Sequence, residues 1–175
     1  MRRWLVALAL VLVAVAAGYW FLIRDKTVTA EVTVPELAST IGSGEDAVGV
    51  STTGAVVAFL PVPDEPPLPQ LPISEVPKSG KLAGPVLQQA KVLGATPKEL
   101  RPYVERSRYG ESGVDVMLTS GIELRFGDAS QAKRKWKAAA AILADPEITA
   151  LDYVDLHAPG HPSYLEGEHS LPPAP

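Results

Sequence analysis

The stretch that decides the fold reads GVDVMLTSGIELRFGDASQAKRKWKAAAAIL and runs from residue 113 to residue 143. Its first residues alternate in polarity, which is the period-two pattern of a half-buried strand. Val114, Val116 and Leu118 fall on one face of that strand, and Asp115, Met117 and Thr119 fall on the other. Ser120-Gly121 predicts a tight hairpin into a second strand, IELRFG. The preceding run YVERSRYG alternates as well, so the sequence predicts an antiparallel meander of three strands.

A helix is predicted directly after the meander. Asp128 and Gln131 have the spacing of a capping box, and the helical pattern continues to about Ala144. An apolar stripe, which we expect to cover the sheet, contains Ala132, Trp136, Ala139 and Leu143. The rest of the helix surface carries Lys133, Arg134, Lys135 and Lys137. We expect these cations to face solvent, and a contact with acidic lipid or another polyanion is the alternative.

The segments before the meander predict a hairpin, a proline-rich loop and a short helix. Two β-rich runs, Ala47–Ser51 and Ala55–Leu60, flank a Thr-Thr-Gly turn. Prolines crowd residues 61–77 and favour an extended loop, with a ligand for an aromatic-grooved module as the alternative. GPVLQQAKVLGAT, residues 84–96, predicts the helix, and Thr96 with Glu99 has capping-box spacing for a further helical turn.

The segment after the long helix predicts one more strand. In ITALDYVDLHA, residues 148–158, the alternation places Leu151, Tyr153 and Asp155 on one face and Val154 and Leu156 on the other. The final residues 166–175, EGEHSLPPAP, are predicted to be disordered. These elements predict an α+β domain, in which a curved antiparallel sheet is covered by one long helix and a shorter helix precedes it.

The N-terminal residues predict a membrane anchor. Trp4 to Ile23 contain no charged residue, and a helix of that length spans roughly 30 Å, the thickness of the hydrocarbon core of a bilayer. Arg2 and Arg3 precede the span, which favours a cytoplasmic N-terminus. A cleaved signal peptide is the alternative, because Ala14-Val15-Ala16 would suit a signal peptidase. The apolar run is longer than the apolar region of a signal peptide, which usually has about 7–15 residues. We therefore expect an uncleaved signal anchor in the plasma membrane, with the remaining chain outside.

Composition excludes several classes of function. The net charge of −4 provides no basic field that would recruit nucleic acid. Cysteine is absent, which excludes disulfides, thiolate catalysis and cysteine-ligated zinc. The sequence has no Gly-x-Ser-x-Gly elbow and no glycine-rich phosphate loop before a helix. We therefore expect no catalytic residue, no cofactor and no small-molecule substrate.

The residues DLHAPGH, 155–161, are the one constellation typical of a metal site. A carboxylate and two imidazoles, from Asp155, His157 and His161, could hold zinc or manganese and support a membrane-tethered hydrolase. Pro159, Gly160 and Pro162 break the regular geometry there, and the spacing matches no motif with known mechanics. We expect no metal at this place, and the hydrolase stays as the alternative function.

The late strand also predicts a surface for binding another protein. A final strand at the border of a sheet offers unpaired N–H and C=O groups, which a segment of a partner can complete as an added strand. Main-chain bonds would supply affinity, and side chains such as His157 and Tyr164 would supply selectivity. The interpretation favours a binding protein over an enzyme.

With these residues in hand, the chain resembles the FtsQ/DivIB family of bacterial cell-division proteins. The resemblance depends on the order of a short basic start, a single anchor, AVGVSTTGAVV, LPQLP, VDVMLTSGIELRFGD, a lysine-rich helix and YVDLHAPGHP. It implies a non-enzymatic scaffold whose extracytoplasmic β domain binds the division proteins FtsB and FtsL through its last strands. It places that contact on residues 153–165, with Tyr153, Asp155, His157, Ala158, Ser163, Tyr164 and Leu165 as the partner-binding residues.

The same resemblance implies a domain organisation. Residues 1–3 are the cytoplasmic start, 4–23 the signal anchor, 45–165 the β domain and 166–175 the tail. Residues 24–44 are a linker with one short strand or the remnant of a POTRA domain, of which EVTVPELASTI could be the last strand. Family members carry a POTRA domain of roughly seventy residues between anchor and β domain, which residues 24–44 are too few to form. His157 stands where the family often has arginine, which would weaken an ion pair with an acidic partner above a pKa of about 6.5.

Overall fold

The computed structural model describes residues 36–63 and 67–173, all within one compact unit, Pro35–Pro175. The predicted cytoplasmic start and signal anchor lie outside the described residues. Among the residues that are described, no helix has the length and apolar character needed to cross a membrane.

A small antiparallel sheet comes first along the chain. It contains β1 (Leu37–Ile41), β2 (Val48–Ser51) and β3 (Val56–Val57), with β2 in the centre. A short 3-10 helix, Gly44–Asp46, connects β1 to β2. The predicted hairpin is confirmed as the antiparallel pair β2 and β3, but its second strand is only Val56–Val57 instead of Ala55–Leu60, because residues 58–60 form a turn. The short strand expected within 24–44 is β1, so the folded unit extends upstream of residue 45.

The proline-rich segment runs beside β1 instead of forming a strand of its own. The Leu71 N–H donates to the Thr40 carbonyl at 2.8 Å, and the Thr40 N–H donates to the Pro69 carbonyl at 3.0 Å. Leu71 is buried in the core, so this loop is more than a cover on the surface. Its few backbone bonds agree with the loss of donors that proline imposes.

Two helices pack on the larger sheet. Helix α1 is Gly84–Gly94, with Pro85 in its first turn, and helix α2 is Ala132–Leu143. The predicted stripe of α2 is confirmed, because Ala132, Trp136, Ala139 and Leu143 are all buried. The further turn predicted after α1 is a 3-10 helix, Arg101–Tyr103, and Thr96 does not cap it, because its buried hydroxyl has no hydrogen-bond partner in the described structure.

The larger sheet has five strands in sequential order. They are β4 (Val104–Gly110), β5 (Gly113–Leu118), β6 (Glu123–Gly127), β7 (Ala150–Asp155) and β8 (Ser163–Ser170). The predicted meander of β4, β5 and β6 is confirmed. The expectation of a wholly antiparallel sheet is wrong, because β6 and β7 are parallel. Helix α2 carries the chain back across the sheet between them, and such a crossover permits parallel pairing.

The predicted faces of β7 are wrong at Leu151. Leu151 is buried together with Val154 and Leu156, whereas Tyr153 and Asp155 are half-buried on the opposite face. The pairing of β7 with β8 is irregular at Leu151. Between the pairs Leu151–Glu166 and Tyr153–Leu165, β7 contains one residue more than β8, namely Asp152. An extra residue in a strand shifts its alternation, so Leu151 joins the face that simple counting assigns to Val154.

The prediction of a disordered tail is also wrong for Glu166 to Ser170. These residues belong to β8, which pairs antiparallel with β7 along the full length of β7. Nearly every residue of β8 is exposed, as expected for a strand at the border of a sheet. A strand that buries so little carries no apolar alternation for sequence reasoning to detect.

The core joins both sheets and both helices around Trp136. Its indole N–H donates to the Val92 carbonyl of α1 at 2.8 Å, and its ring lies 4.9 Å from the ring of Phe126 in β6. The same core cluster includes Ile41 and Val50 from the small sheet. A buried indole with its N–H satisfied contributes both packing and a fixed orientation.

The expectation that Lys135 faces solvent is wrong, because Lys135 is only 1% exposed. Its ammonium donates to the Phe126 carbonyl at 2.7 Å, and to the Asp128 carbonyl and carboxylate at 3.0 Å each. Side chains in a helix point toward its N-terminus, so a lysine in the first turn reaches the loop that leads into α2. Lys133, Arg134 and Lys137 are exposed as predicted.

The capping box predicted for α2 is wrong in its details. Gln131 is the N-cap residue, with φ of 53° and no side-chain cap bond. The Asp128 carboxylate instead accepts from the Ser130 hydroxyl at 2.6 Å and from Lys135. The hydrogen bond from Ser130, followed by that from Lys135, lowers the pKa of Asp128 to about 2. Asp128 therefore orders the loop before the helix as a carboxylate.

We expect Lys135→Met to lower the free energy of unfolding by about 1–3 kcal/mol, because it leaves a buried carbonyl without its donor. Lys133→Met makes the same chemical change at an exposed position of the same helix, and we expect a change within about 0.5 kcal/mol. Urea unfolding of the full-length chain, followed by circular dichroism, measures both. Equal losses in the two variants would show that the buried ammonium has no special role.

Candidate partner-binding edge

The β8 edge is the outer side of Ser163–Ser170, which faces away from β7. β8 is one of the two border strands of the five-stranded sheet, and β4 is the other. Within residues 36–63 and 67–173, no strand pairs with the outer side of β8. Alternate N–H and C=O groups of an antiparallel border strand point away from its neighbour, so this edge can accept a further strand.

Two large side chains project from the first half of this edge. Tyr164 is 44% exposed and lies opposite Val154, on the side of the sheet that carries the core. Leu165 is 47% exposed and lies opposite Tyr153, on the other side. An added strand would therefore meet an apolar surface on both faces of β8.

A row of polar side chains, all charged except Ser163, crosses the solvent face of the sheet and ends at the β8 edge. Register brings together Arg108, Asp115, Arg125, Asp155 and Ser163, one from each strand from β4 to β8. The Arg108 guanidinium donates to Asp115 at 3.1 Å and also bonds Glu123, which accepts from Arg125 at 2.8 Å. Opposite charges on neighbouring strands stabilise the sheet and leave these groups largely neutralised.

Tyr153 lies within this row of charges and not at the border. The Arg125 guanidinium stands 3.8 Å from the centre of the Tyr153 ring, which is a cation–π contact. The hydrogen bond to Glu123 raises the pKa of Arg125 further, so the cation is permanent. Because β8 covers β7, Tyr153 reaches a partner only over the face of the sheet.

Asp155 and His157 form a hydrogen-bonded pair at the end of β7. The Asp155 carboxylate accepts from the His157 backbone at 2.9 Å and contacts the ring Nδ1 at 2.8 Å. Nε2 of the same ring lies 3.2 Å from the Ser112 carbonyl in the β4–β5 turn. The ring also covers Gly127, where a Cβ would approach it to 2.5 Å. The pair therefore connects the end of β7 with two neighbouring segments.

The two groups shift each other's pKa in opposite directions. The hydrogen bond to Asp155 raises the pKa of His157 and outweighs its partial burial, with a further contribution from the Ser112 carbonyl. Burial raises the pKa of Asp155, but the hydrogen bonds from the backbone and the ring of His157 outweigh it, so the net pKa is lowered. The imidazolium–carboxylate form is the one that this geometry favours.

The predicted site residues fall into three places. Tyr153 and Asp155 are in β7, His157 and Ala158 are in the connection that follows it, and Ser163, Tyr164 and Leu165 are at the border in β8. The border is therefore β8 and not the strand that ends in DLHA. Sequence reasoning missed Ser112, Arg125 and the second half of β8. Of these, only Arg125 has a signal in the sequence, because its alternation with apolar neighbours places it on the solvent face of a strand.

The described residues give no support to the metal site. Among them, no group of three His, Asp or Glu side chains is placed to hold a metal ion. Asp155 and His157 bond each other, and the one hydrogen bond of His161 within residues 36–63 and 67–173 runs from its backbone N–H to the Ala158 carbonyl. The connection between β7 and β8 therefore turns at Ala158 to His161 without bringing the three side chains together.

Comparison with known families identifies one match. Residues 41–157 match the family described as cell division protein FtsQ/DivIB, C-terminal. The matched range includes the small sheet from Ile41 onward, both helices and β4 to β7, and it ends before β8. No curated protein matches the chain.

The Asp155–His157 pair should contribute to stability over a limited pH range. The raised pKa of His157 adds stability that is complete below 6.5 and is lost as pH rises through the folded value. The lowered pKa of Asp155 adds stability that is present above 3.8 and is lost as pH falls through its folded value. We therefore expect the largest contribution between about pH 4 and 6.5, and below about 1 kcal/mol because both groups are partly exposed.

Unfolding of the native chain and of His157→Gln, compared across pH 3 to 9, measures that contribution as a difference. His161→Gln serves as the control, since it removes an imidazole whose ring makes no hydrogen bond in the described structure. A His157→Gln difference that stays constant across this range would contradict the pair. So would an equal pH dependence in the His161 variant.

Proposed function

Since the chain belongs to the FtsQ/DivIB family of cell-division proteins, we propose that it is a scaffold of the division complex that binds partner proteins along the β8 edge. Binding occurs by β-augmentation, in which an extended segment of the partner adds to the sheet as a sixth strand. The observation that carries the proposal is the pair of half-exposed side chains, Tyr164 and Leu165, on a border strand whose outer side pairs with no other strand in the described structure.

The other border of the sheet offers less to a partner. β4 carries one large half-exposed aromatic side chain, Tyr109. Its arginines bond carboxylates of the same sheet, Arg106 with Glu105 and Arg108 with Asp115. A partner at β4 would have to compete with these contacts, whereas Tyr164 and Leu165 require only the removal of water.

The partners that we propose are division proteins of the FtsB and FtsL type. The chain would be held in the plasma membrane by the span from Trp4 to Ile23, with its N-terminus in the cytoplasm and the β domain outside. In this interpretation the protein is not an enzyme and takes no cofactor, small-molecule substrate or nucleic acid. Its charged side chains near the edge serve to support the sheet, since Arg125, Asp155 and His157 have partners within the chain.

Two tyrosines provide a matched test of the proposed edge. Tyr164 and Tyr109 are 44% and 47% exposed, each lies opposite a buried valine, and they occupy opposite borders of one sheet. We expect Tyr164→Lys to reduce co-purification of the FtsB-type partner at least about tenfold, since it places an unpaired ammonium in a desolvated contact. Tyr109→Lys should leave recovery unchanged.

The measurement is recovery of the partner with the full-length chain from detergent-solubilised membranes, with circular dichroism confirming that both variants fold. Equal recovery with the two variants would refute the β8 edge as the docking surface. A loss with Tyr109→Lys alone would move the contact to the opposite border of the sheet.

A further inference from the structure

The β8 edge is interrupted in the middle. Ser163, Tyr164 and Leu165 pair in regular register with Asp155, Val154 and Tyr153. After them the register shifts, and both Glu166 and His169 lie opposite Leu151. Gly167 and Glu168 are therefore extra residues in β8, which form a bulge that separates the strand into two short parts. A bulge bends its strand and increases the local twist.

The side chain of Asp152 stabilises this bulge. Its carboxylate accepts a hydrogen bond of 3.1 Å from the Glu168 N–H, so that donor turns toward β7 and away from the edge. Gly167 lies against the same carboxylate, and a Cβ there would approach the Asp152 Oδ1 to 1.8 Å. Glycine is therefore required for the close approach of strand and carboxylate, and any larger residue would displace the bulge.

The first half of the edge is the part that remains regular and carries the apolar side chains. A strand that adds to β8 needs consecutive backbone groups in one plane, and the bulge removes that geometry after Glu166. Bulges on border strands are a recognised way to limit pairing with other chains. In β8 the bulge leaves the open segment, Ser163–Glu166, available for pairing with a further strand and makes Gly167–Ser170 unsuitable for it.

The β8 edge also has a definite charge. β8 contains two glutamates, Glu166 and Glu168, and neither lysine nor arginine. Both glutamates are exposed, and none of the ion pairs among the described residues includes either of them. In the charged row, two arginines and the His157 ring are paired with the three carboxylates of Asp115, Glu123 and Asp155. The row therefore supplies no surplus cation, and the glutamates give the edge an unbalanced negative charge.

We propose that the bulge confines the added strand to Ser163–Glu166, and that the docking segment is a short extended peptide with a basic side chain beside Glu166. The segment is about four residues long, with apolar side chains on both faces to meet Tyr164 and Leu165. This inference rests on the proposed function, and it adds the length, register and charge of the partner segment. An arginine at the position of His157 would favour an acidic partner. The charge of Glu166 favours a basic partner instead.

Residue-resolved amide exchange of the full-length chain, free and bound to the FtsB-type division protein of the same cell, tests the confinement. We expect exchange to slow about tenfold or more within Ser163–Glu166 and by less than about twofold within Gly167–Ser170. Equal protection of both halves would overturn the confinement and leave the proposed docking edge standing. Protection of neither half would refute the docking edge itself, and this inference with it.

The charge is tested by Glu166→Lys, with Glu99→Lys as the control. Glu99 is also exposed, takes part in none of the ion pairs described, and precedes β4, the opposite border of the sheet. At ~0.05 M salt we expect Glu166→Lys to weaken the affinity for the same partner about fivefold and Glu99→Lys to leave it within about twofold. At ~1 M salt the effect of Glu166→Lys should largely disappear, because the screening length falls to about 3 Å.

Glu166→Gln should weaken binding less than Glu166→Lys, since it removes the attraction without adding repulsion. Tighter binding by Glu166→Lys, or unchanged binding by both Glu166 variants, would overturn the basic partner. An equal loss of affinity with Glu99→Lys would show that the effect of Glu166→Lys comes from the overall net charge, and it too would overturn the basic partner. None of these results changes what amide exchange reports about the bulge.

Discussion

The hydrogen bond from the Trp136 indole to the Val92 carbonyl fixes the position of helix α2, and the rest of the domain depends on it. The indole is fully buried between α1 and β6, so its N–H would lack any partner if the helix shifted. Lys135, the preceding residue, bonds the Phe126 and Asp128 carbonyls at the start of the helix. One side chain thus holds the helix to its neighbouring helix, and the next holds it to the strand from which it came.

The position of α2 determines the order of the strands. Because the helix returns the chain across the sheet, β7 lies parallel to β6 and extends the meander by one strand. The hairpin through Ala158 to His161 then adds β8 as the border. The Asp155–His157 pair reinforces this arrangement, since its ring reaches Ser112 in the turn between β4 and β5. The packing of α2 therefore determines that β8 is the border strand, although the helix lies at a distance from the β8 edge.

The sequence correctly predicted the elements in which burial of one face imposes a regular spacing of apolar residues. Alternation in β5 and β6 and the stripe of α2 were correct, because their apolar residues face one core. Lys135 was misjudged because residue type and spacing do not show that a long cation in a first helical turn can reach backwards to three acceptors. β8 was missed because a border strand that buries almost nothing shows no period. The faces of β7 were misjudged because the irregular pairing near Asp152 depends on contacts with a strand the sequence did not reveal.

A border strand that serves for recognition faces a conflict, because the same unpaired groups that attract one partner can pair with any other strand. The bulge at Gly167 and Glu168 and the negative charge of β8 address this conflict together. The bulge shortens the segment that can pair, and the exposed glutamates repel a second copy of the same edge, since two β8 strands would bring like charges together. In the proposed binding mode, affinity would come from a few backbone bonds and from Tyr164 and Leu165, and selectivity would come from the strands that the edge excludes. A short, charged and interrupted edge is thus better suited to one particular partner than a long apolar edge would be.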